Sequence, residues 1–280
     1  FKLQIMIYHS YTFFCTPNQS EILIAILSEN NFEGFQEEEN SLTAYISSEE
    51  KIAEVLIQQV ESFGIKFPSP EIIPDKNWNE EWESKITPIE IYDLVLVRTE
   101  FHPVEKKFPF EIIIQPKMSF GTGHHATTHM MIELMLENKN DFKDAAVFDF
   151  GAGTGILSIM AGQLGAKEIL SIDNEDWAYE NMIENFARNN STHCIPQLAN
   201  QPPATENKFD IILANINRNV ILEFLPALKQ TLKPLGIIFC SGFLPEDEIV
   251  IMQAAEKLNL KFSARKFREN WMVLVFKNTN

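Results

Sequence analysis

Val147-Phe148-Asp149-Phe150-Gly151-Ala152-Gly153-Thr154-Gly155 is a run of strand-forming residues that opens into three alternate glycines and then into the helix-like segment 155–164. Glycines in such a turn let the backbone reverse sharply and approach a ligand with no side chain in the way. Outward from this turn the pattern alternates regularly. Helices are predicted at 128–137, 155–164, 176–189, 219–232 and 246–258. Strands are predicted at 146–150, 168–173, near Ile195–Leu198, and at 209–214, 236–241, 261–267 and 271–277. Buried strands alternating with helices imply a mostly parallel sheet covered on both faces. Only Arg268-Glu269-Asn270 separates the last two strands. That is too short for a parallel crossover, so these two pair antiparallel and one reversed strand lies near the sheet edge.

Residues 1–73 read differently, as a small α+β unit. Phe1–His9 alternates as a strand, and Asn18 or Ser20 can cap a helix through Glu29. Two short strands follow, Phe32–Gln36 and Leu42–Ser47, around the turn Glu37-Glu38-Glu39-Asn40. Ser48 is expected to cap a second helix, Glu49–Phe63, and a last strand lies near Ile72-Ile73. The order β-α-β-β-α-β is that of a ferredoxin-like fold. No catalytic constellation appears here, which suits a binding module. Residues 74–126 form a transition with strand candidates at Leu94–Arg98 and Phe110–Gln115. Trp78 and Trp82, four apart on a short helix, are read as a packing wedge between domains.

The chain has 280 residues and a formal net charge of −16. Its lysines and arginines form no cluster beyond pairs such as Lys106-Lys107, so a phosphate-gripping surface is not expected. The acidity suits a basic protein partner, or serves only to keep the protein soluble. No apolar run approaches the roughly 18 residues of a membrane helix, and the first residues show no signal-peptide pattern. A cytoplasmic protein is the expectation. Cys15, Cys194 and Cys240 are widely spaced and form no CxxC pair, so buried free thiols are expected.

Asp173 closes the strand 168–173, where a carboxylate can accept hydrogen bonds from both ribose hydroxyls of an adenosine. The alternative is that Asp173 caps the next helix. The glycines run GxGxG, whereas a dinucleotide fingerprint is GxGxxG, and Asp149 precedes the turn. Phe209-Asp210-Ile211-Ile212-Leu213-Ala214-Asn215 is a buried strand ending in an asparagine at the ligand side of the sheet. The Asn215 carbonyl can accept from an amine, or Asn215 can cap the helix at 219–232. Phe120-Gly121-Thr122-Gly123-His124-His125-Ala126-Thr127-Thr128 supplies a tight loop before the first helix, with Thr127 and Thr128 placed to cap it. His124 and His125 have no further ligands in metal-binding spacing, so no metal is expected.

The GxGxG turn, Asp149 and the antiparallel end of the sheet resemble class I methyltransferases. FGTGHHATT, VFDFGAGTGILSI, Asp173, LANI and Trp78-Asn79-Glu80-Glu81-Trp82 together resemble the family of ribosomal protein L-eleven (L11) methyltransferases. The resemblance implies an α/β, Rossmann-like class I domain at 127–280 with a mostly parallel seven-stranded sheet and one antiparallel strand. A ferredoxin-like substrate-recognition domain at 1–73 would precede it, with a linker and entry strands at 74–126. It also implies S-adenosylmethionine as cofactor, and L11 as the protein substrate, methylated on lysine side chains and the N-terminal amine. Thr128, Gly151, Asp173 and Asn215 are then the cofactor-contacting positions. Phe120, Gly121, Thr122, Gly123, Asp149, Gly153, Gly155 and Asn174 join them in the candidate site, with Asn215 as the catalytic residue that positions the amine. The enzyme is expected to act as a monomer, with no direct nucleic acid contact and no membrane. A methyltransferase of RNA or small molecules, a dehydrogenase and a non-catalytic scaffold are the competing readings.

Overall fold

The computed structural model describes residues 8–279 apart from 29, 39, 49, 74–86, 104, 105, 116, 118 and 119. The predicted tryptophan helix and the first seven residues of the predicted N-terminal strand lie outside them. The chain forms two compact units, Phe1–Glu81 and Trp82–Asn280.

The first unit is an antiparallel four-stranded sheet in the order β2-β3-β1-β4. Its elements are β1 (Tyr8–Phe14), α1 (Pro17–Ser28), β2 (Phe32–Glu38), β3 (Ser41–Ser47), α2 (Glu54–Ser62) and β4 (Glu71–Ile73). This is the split βαβ arrangement expected from the element order. Phe13, Leu23, Leu27, Leu42, Ala44 and Val60 form its core, each fully buried. Two boundaries differ from the sequence reading. The first described strand starts at Tyr8 and runs to Phe14, because Tyr11 and Phe13 point into the core while Phe14 is exposed. The second helix begins at Glu54 behind Ala53, not behind Ser48. Ile52 still packs on the core from an extended segment, so the apolar spacing overstated the helix.

The second unit holds a seven-stranded sheet in the order β10-β9-β8-β11-β12-β14-β13. The strands are β8 (Ala146–Phe150), β9 (Glu168–Asp173), β10 (Cys194–Leu198), β11 (Phe209–Asn215), β12 (Leu232–Phe243), β13 (Leu260–Arg268) and β14 (Trp271–Asn278). All run parallel except β14, which is antiparallel to both β12 and β13. Alternate residues of the strands feed two cores. Val147, Ile169, Leu213 and Phe239 face α3 (Ala126–Glu137), α4 (Ile156–Gln163) and α5 (Asp176–Arg188). Phe148, Leu170, Ile212 and Cys240 face α6 (Arg218–Thr231) and α7 (Glu248–Lys257).

A separate three-stranded sheet, β5 (Ile89–Ile91), β6 (Val95–Arg98) and β7 (Phe110–Ile113), contributes Ile91, Val95, Val97 and Ile112 to the first of these cores. Strand β5 was not anticipated. Its turn to β6 carries Tyr92 and Asp93 at φ of 53°, a conformation usually signalled by glycine or asparagine. Tyr92 is held there by Lys266, which also pairs with Glu133 and Glu137. The chain builds β8, β9 and β10 outward in one direction and returns to place β11 on the other side of β8. The strand order therefore reverses between β8 and β11, where open parallel sheets form a crevice beyond their carboxyl ends.

Candidate active site

The turn after β8 is drawn against the end of β9 by backbone bonds. The N–H groups of Gly151 and Ala152 both donate to Ile172 O at 2.9 Å, and Gly153 N–H donates to Asp173 Oδ2 at 2.8 Å. Two glycines are required sterically. Gly151 has φ of 75°, and a Cβ there would lie 2.2 Å from Ile216 Cγ2; Gly153 has φ of 54°, and its Cβ would lie 2.3 Å from Phe120 O. No L side chain fits either place without displacing the wall of the crevice.

Two adjoining hollows open over this turn, of about 320 Å³ and about 280 Å³. Gly151, Asp173, Asn174, Ile216 and Asn217 border both. The larger also contains Phe120, His125, Gly153, Trp177, Asn215 and Trp271. The smaller is a narrower slot between Phe150, Ala199, Val220 and Phe224, with Asn200 also lining it. A further hollow, of about 610 Å³ between α7 and β13, includes none of the residues of the glycine turn, nor Asp173 or Asn215.

Asp173 is 9% exposed and uses one lone pair on each oxygen for the protein, since its Oδ1 also accepts from Glu175 N–H at 3.1 Å. A carboxylate has further lone pairs, and these remain for a ligand in the hollows. It is not the cap of α5, which starts behind Glu175 with no side-chain cap. Asn215 at the end of β11 donates from Nδ2 to Thr128 Oγ1 at 3.3 Å, while its buried Oδ1 has no partner. Helix α6 is capped by Asn217, whose Oδ1 accepts from Val220 N–H. Asn215 is therefore free of the capping task that the sequence left open.

One wall is aromatic. The His125 ring packs edge-on between Phe120 and Trp271, with centroids 5.0 and 4.8 Å away. His125 also caps α3: its Nδ1 accepts from Thr127 N–H and lies 2.7 Å from Thr127 Oγ1. This corrects the expectation that Thr127 and Thr128 supply the cap. Both threonines sit fully buried inside the helix, which starts two residues earlier than predicted. Burial lowers the His125 pKa, so the ring is neutral near pH 7.

Of the predicted residues, Phe120, Gly151, Gly153, Asp173, Asn174 and Asn215 meet at the hollows. Thr128 reaches them only through Asn215. Gly121 lies beneath, accepting from Thr154 Oγ1 through its carbonyl, and Gly123 packs against Ile89 and Val97. Thr122 faces a small gap beside Val97 and His124, whose Nε2 lies 3.0 Å from Thr87 O. Gly155 caps α4 and packs on Met182 and Phe186. Asp149 is buried under the turn, where its Oδ2 accepts from Ser158 Oγ at 2.6 Å. Among the described residues no cluster of His, Cys, Asp or Glu has metal-binding geometry. The sequence reading did not single out Trp177, Ile216 or Trp271 as lining residues. Ile216 closes the LANI run, whereas Trp177 and Trp271 carry no motif of their own and only the fold brings them to the crevice.

The model of the family "Ribosomal protein L11 methyltransferase (PrmA)" matches residues 16–279. The chain belongs to this family. Ribosomal protein L11 methyltransferase of Porphyromonas gingivalis is 40% identical over 262 residues, covering 91% of this chain and 90% of the relative. That of Bacteroides fragilis is 36% identical over 97% of this chain and 99% of its own length. Among solved structures, a ribosomal protein L11 methylase from Lactobacillus delbrueckii subsp. bulgaricus superposes with a TM-score of 0.63 at 27% identity. It covers 70% of this chain and all of the other.

Asp149 gives this family member a pH-dependent stability. Burial, with the nearby Asp173 charge adding to it, raises its pKa from 3.8 to about 7, against the lowering effect of the Ser158 bond. Between about pH 4 and pH 7 the folded state then binds the proton that the unfolded chain has lost. Stability falls as pH rises through that window and levels off above it. The variant Asp149→Asn keeps the acceptor for Ser158 and removes the titration. At about 1.4 kcal/mol per pKa unit, its gain over wild type grows to at most on the order of 4 kcal/mol at pH 8. Urea titrations at pH 5 and pH 8 check this. An equal difference at the two pH values contradicts it.

Proposed function

We propose that this methyltransferase moves the methyl group of S-adenosylmethionine onto lysine side chains and the N-terminal amine of ribosomal protein L11. The observation that carries the reading is Asn215 Oδ1, a buried acceptor with no partner on a residue that lines the strand-end crevice. An unsatisfied buried carbonyl is costly unless a ligand completes it. The residues fit the cofactor. Asp173 has lone pairs for two ribose hydroxyls, and the slot of Phe150, Ala199, Val220 and Phe224 suits a flat adenine. The glycine turn leaves open backbone for the amino-acid end.

Bound there, the cofactor supplies a methyl group on a cationic sulfur, so the leaving group needs no protonation. The remaining tasks are alignment and exclusion of water. The Thr128 contact holds the Asn215 amide by its nitrogen and leaves the oxygen to accept an N–H from the incoming amine and so aim the nitrogen lone pair. Phe120, His125 and Trp271 wall that space with neutral rings. A lysine with an ordinary pKa of about 10.4 must lose a proton before it attacks, and burial against this wall favours the neutral amine. His125 is not the base. Its Nδ1 is occupied by Thr127 N–H, which leaves the ring proton on Nε2. The proton leaves to solvent.

The unit 1–73 is the docking module for the protein substrate in this reading. The net charge of −16 supports a basic protein substrate over a nucleic acid.

Intact-mass analysis of recombinant L11, incubated with this protein and S-adenosylmethionine, tests the function: gains in whole methyl units are expected, and no gain would overturn the substrate. Asn215→Ala is expected to lower kcat about a hundredfold, as loss of alignment does, with cofactor affinity little changed. Full turnover by that variant would remove Asn215 from the mechanism. The rate at saturating substrates should climb from pH 7 to pH 9 with the free amine. His125→Gln should leave the shape of that climb intact; a lost inflection near the histidine range would make His125 the base.

A further inference from the structure

Helix α5 and the Asn189 that ends it carry a feature that methyl transfer does not use: three asparagines one turn apart, Asn181, Asn185 and Asn189, beside the apolar Ala178, Met182 and Phe186. Asn181 and Asn185 are fully buried. A helix face seldom buries such amides, since each has both a donor and an acceptor to satisfy. Here they meet the backbone of β7 and the residues just beyond it. Asn189 accepts from Ile113 N–H at 2.8 Å and donates to Ile113 O at 2.7 Å, as a neighbouring strand would. Asn185 accepts from Gln115 N–H at 2.9 Å, and Asn181 donates to Gln115 O at 3.3 Å.

Asn185 differs from the other two in where its second half goes. Its Nδ2 donates at 2.9 Å to Thr154 O, inside the glycine turn. Thr154 in turn donates its N–H to Phe120 O at 3.0 Å and its hydroxyl to Gly121 O at 2.6 Å. Phe120 O is also the atom that leaves no room for a Cβ on Gly153. One amide therefore joins the end of β7, the Thr154 backbone and, through Thr154, the loop that bears the aromatic wall.

We infer that Asn185 is a positioning residue for the crevice, clamping the Phe120-Gly121 loop to the Gly151–Gly155 turn through Thr154 while holding the chain that leads into that loop. Its effect falls on the cofactor space enclosed by turn and loop. Asn189 holds the same strand and does not touch the turn. The inference rests on the cofactor reading of the crevice for its binding readout, and hydrogen exchange tests it independently.

The test compares Asn185→Asp, which keeps an acceptor for Gln115 N–H and loses the donor to Thr154 O, with Asn189→Leu as control. Thr154→Val removes the hydroxyl bond to Gly121 O, one of the two bonds that tie Thr154 to the loop, and so weakens the clamp from the loop side; it covers the case in which Asn185→Asp does not fold. Measurements are the Kd of S-adenosylmethionine by calorimetry, Tm, and amide exchange of the ligand-free protein. Asn185→Asp and Thr154→Val should each raise Kd about tenfold with kcat at saturating cofactor within about twofold, and should speed exchange at Thr154 N–H. Asn189→Leu should lower Tm yet leave Kd within about twofold and Thr154 N–H protected. Unchanged exchange at Thr154 in Asn185→Asp overturns the clamp, as does an equal rise in Kd for Asn185→Asp and Asn189→Leu. Wild-type protein that fails to bind the cofactor refutes the cofactor reading instead, and the exchange data then decide the clamp alone.

Discussion

The hydrogen bond from Gly153 N–H to Asp173 Oδ2 joins the two strand ends on which the crevice depends. It crosses from the turn after β8 to the last residue of β9, so one carboxylate closes the turn and at the same time faces the ligand space. Because the bond is charge-assisted and 9% exposed at its acceptor, it is stronger than an ordinary amide pair. The second oxygen is steadied by Glu175 N–H. Asp173 is thus held in place before any ligand arrives, and little ordering remains for the ligand to impose.

The rest of the site follows from the same sheet geometry. Parallel β8, β9 and β11 end at one edge, so Gly151, Asp173 and Asn215 converge although they lie far apart in sequence. Helices α3 and α5 then fix the walls. The first does so through Thr128 against Asn215 and through the cap His125, and the second through Asn185 against Thr154. The crevice has a polar floor of backbone and amide groups and aromatic or aliphatic sides. A nucleophilic displacement from a sulfonium needs that combination: oriented lone pairs, little water and no strong acid.

Much of this was legible in the sequence wherever local pattern and tertiary structure agree. The strands β8, β9 and β11 are nearly continuous apolar runs, the mark of a strand buried on both faces, and the glycine turn needs φ above zero at fixed positions. The three-residue link Arg268-Glu269-Asn270 was enough to foresee that β13 and β14 pair antiparallel. What stayed hidden depends on distant partners. Tyr92 and Asp93 adopt a turn that suits glycine because Lys266, far along the chain, anchors Tyr92. The start of α3 moved because a histidine, rather than a threonine, accepts its free N–H group. The asparagines of α5 look like an ordinary polar stripe until β7 is laid against them. Among the candidate residues, Gly121, Gly123 and Gly155 were correctly read as conformational needs, yet they serve packing beneath the crevice rather than its surface.

In the proposed mechanism everything at the crevice depends on Asp173 holding the adenosine end of S-adenosylmethionine. Isothermal calorimetry of wild-type protein and Asp173→Asn tests it most directly, because the substitution keeps size and acceptor but removes the charge. Charge-assisted hydrogen bonds contribute about 1.5–3 kcal/mol each, so the account predicts Kd raised roughly ten- to a hundredfold with the fold intact by circular dichroism. An unchanged Kd for the variant would contradict it and move the cofactor elsewhere on the protein.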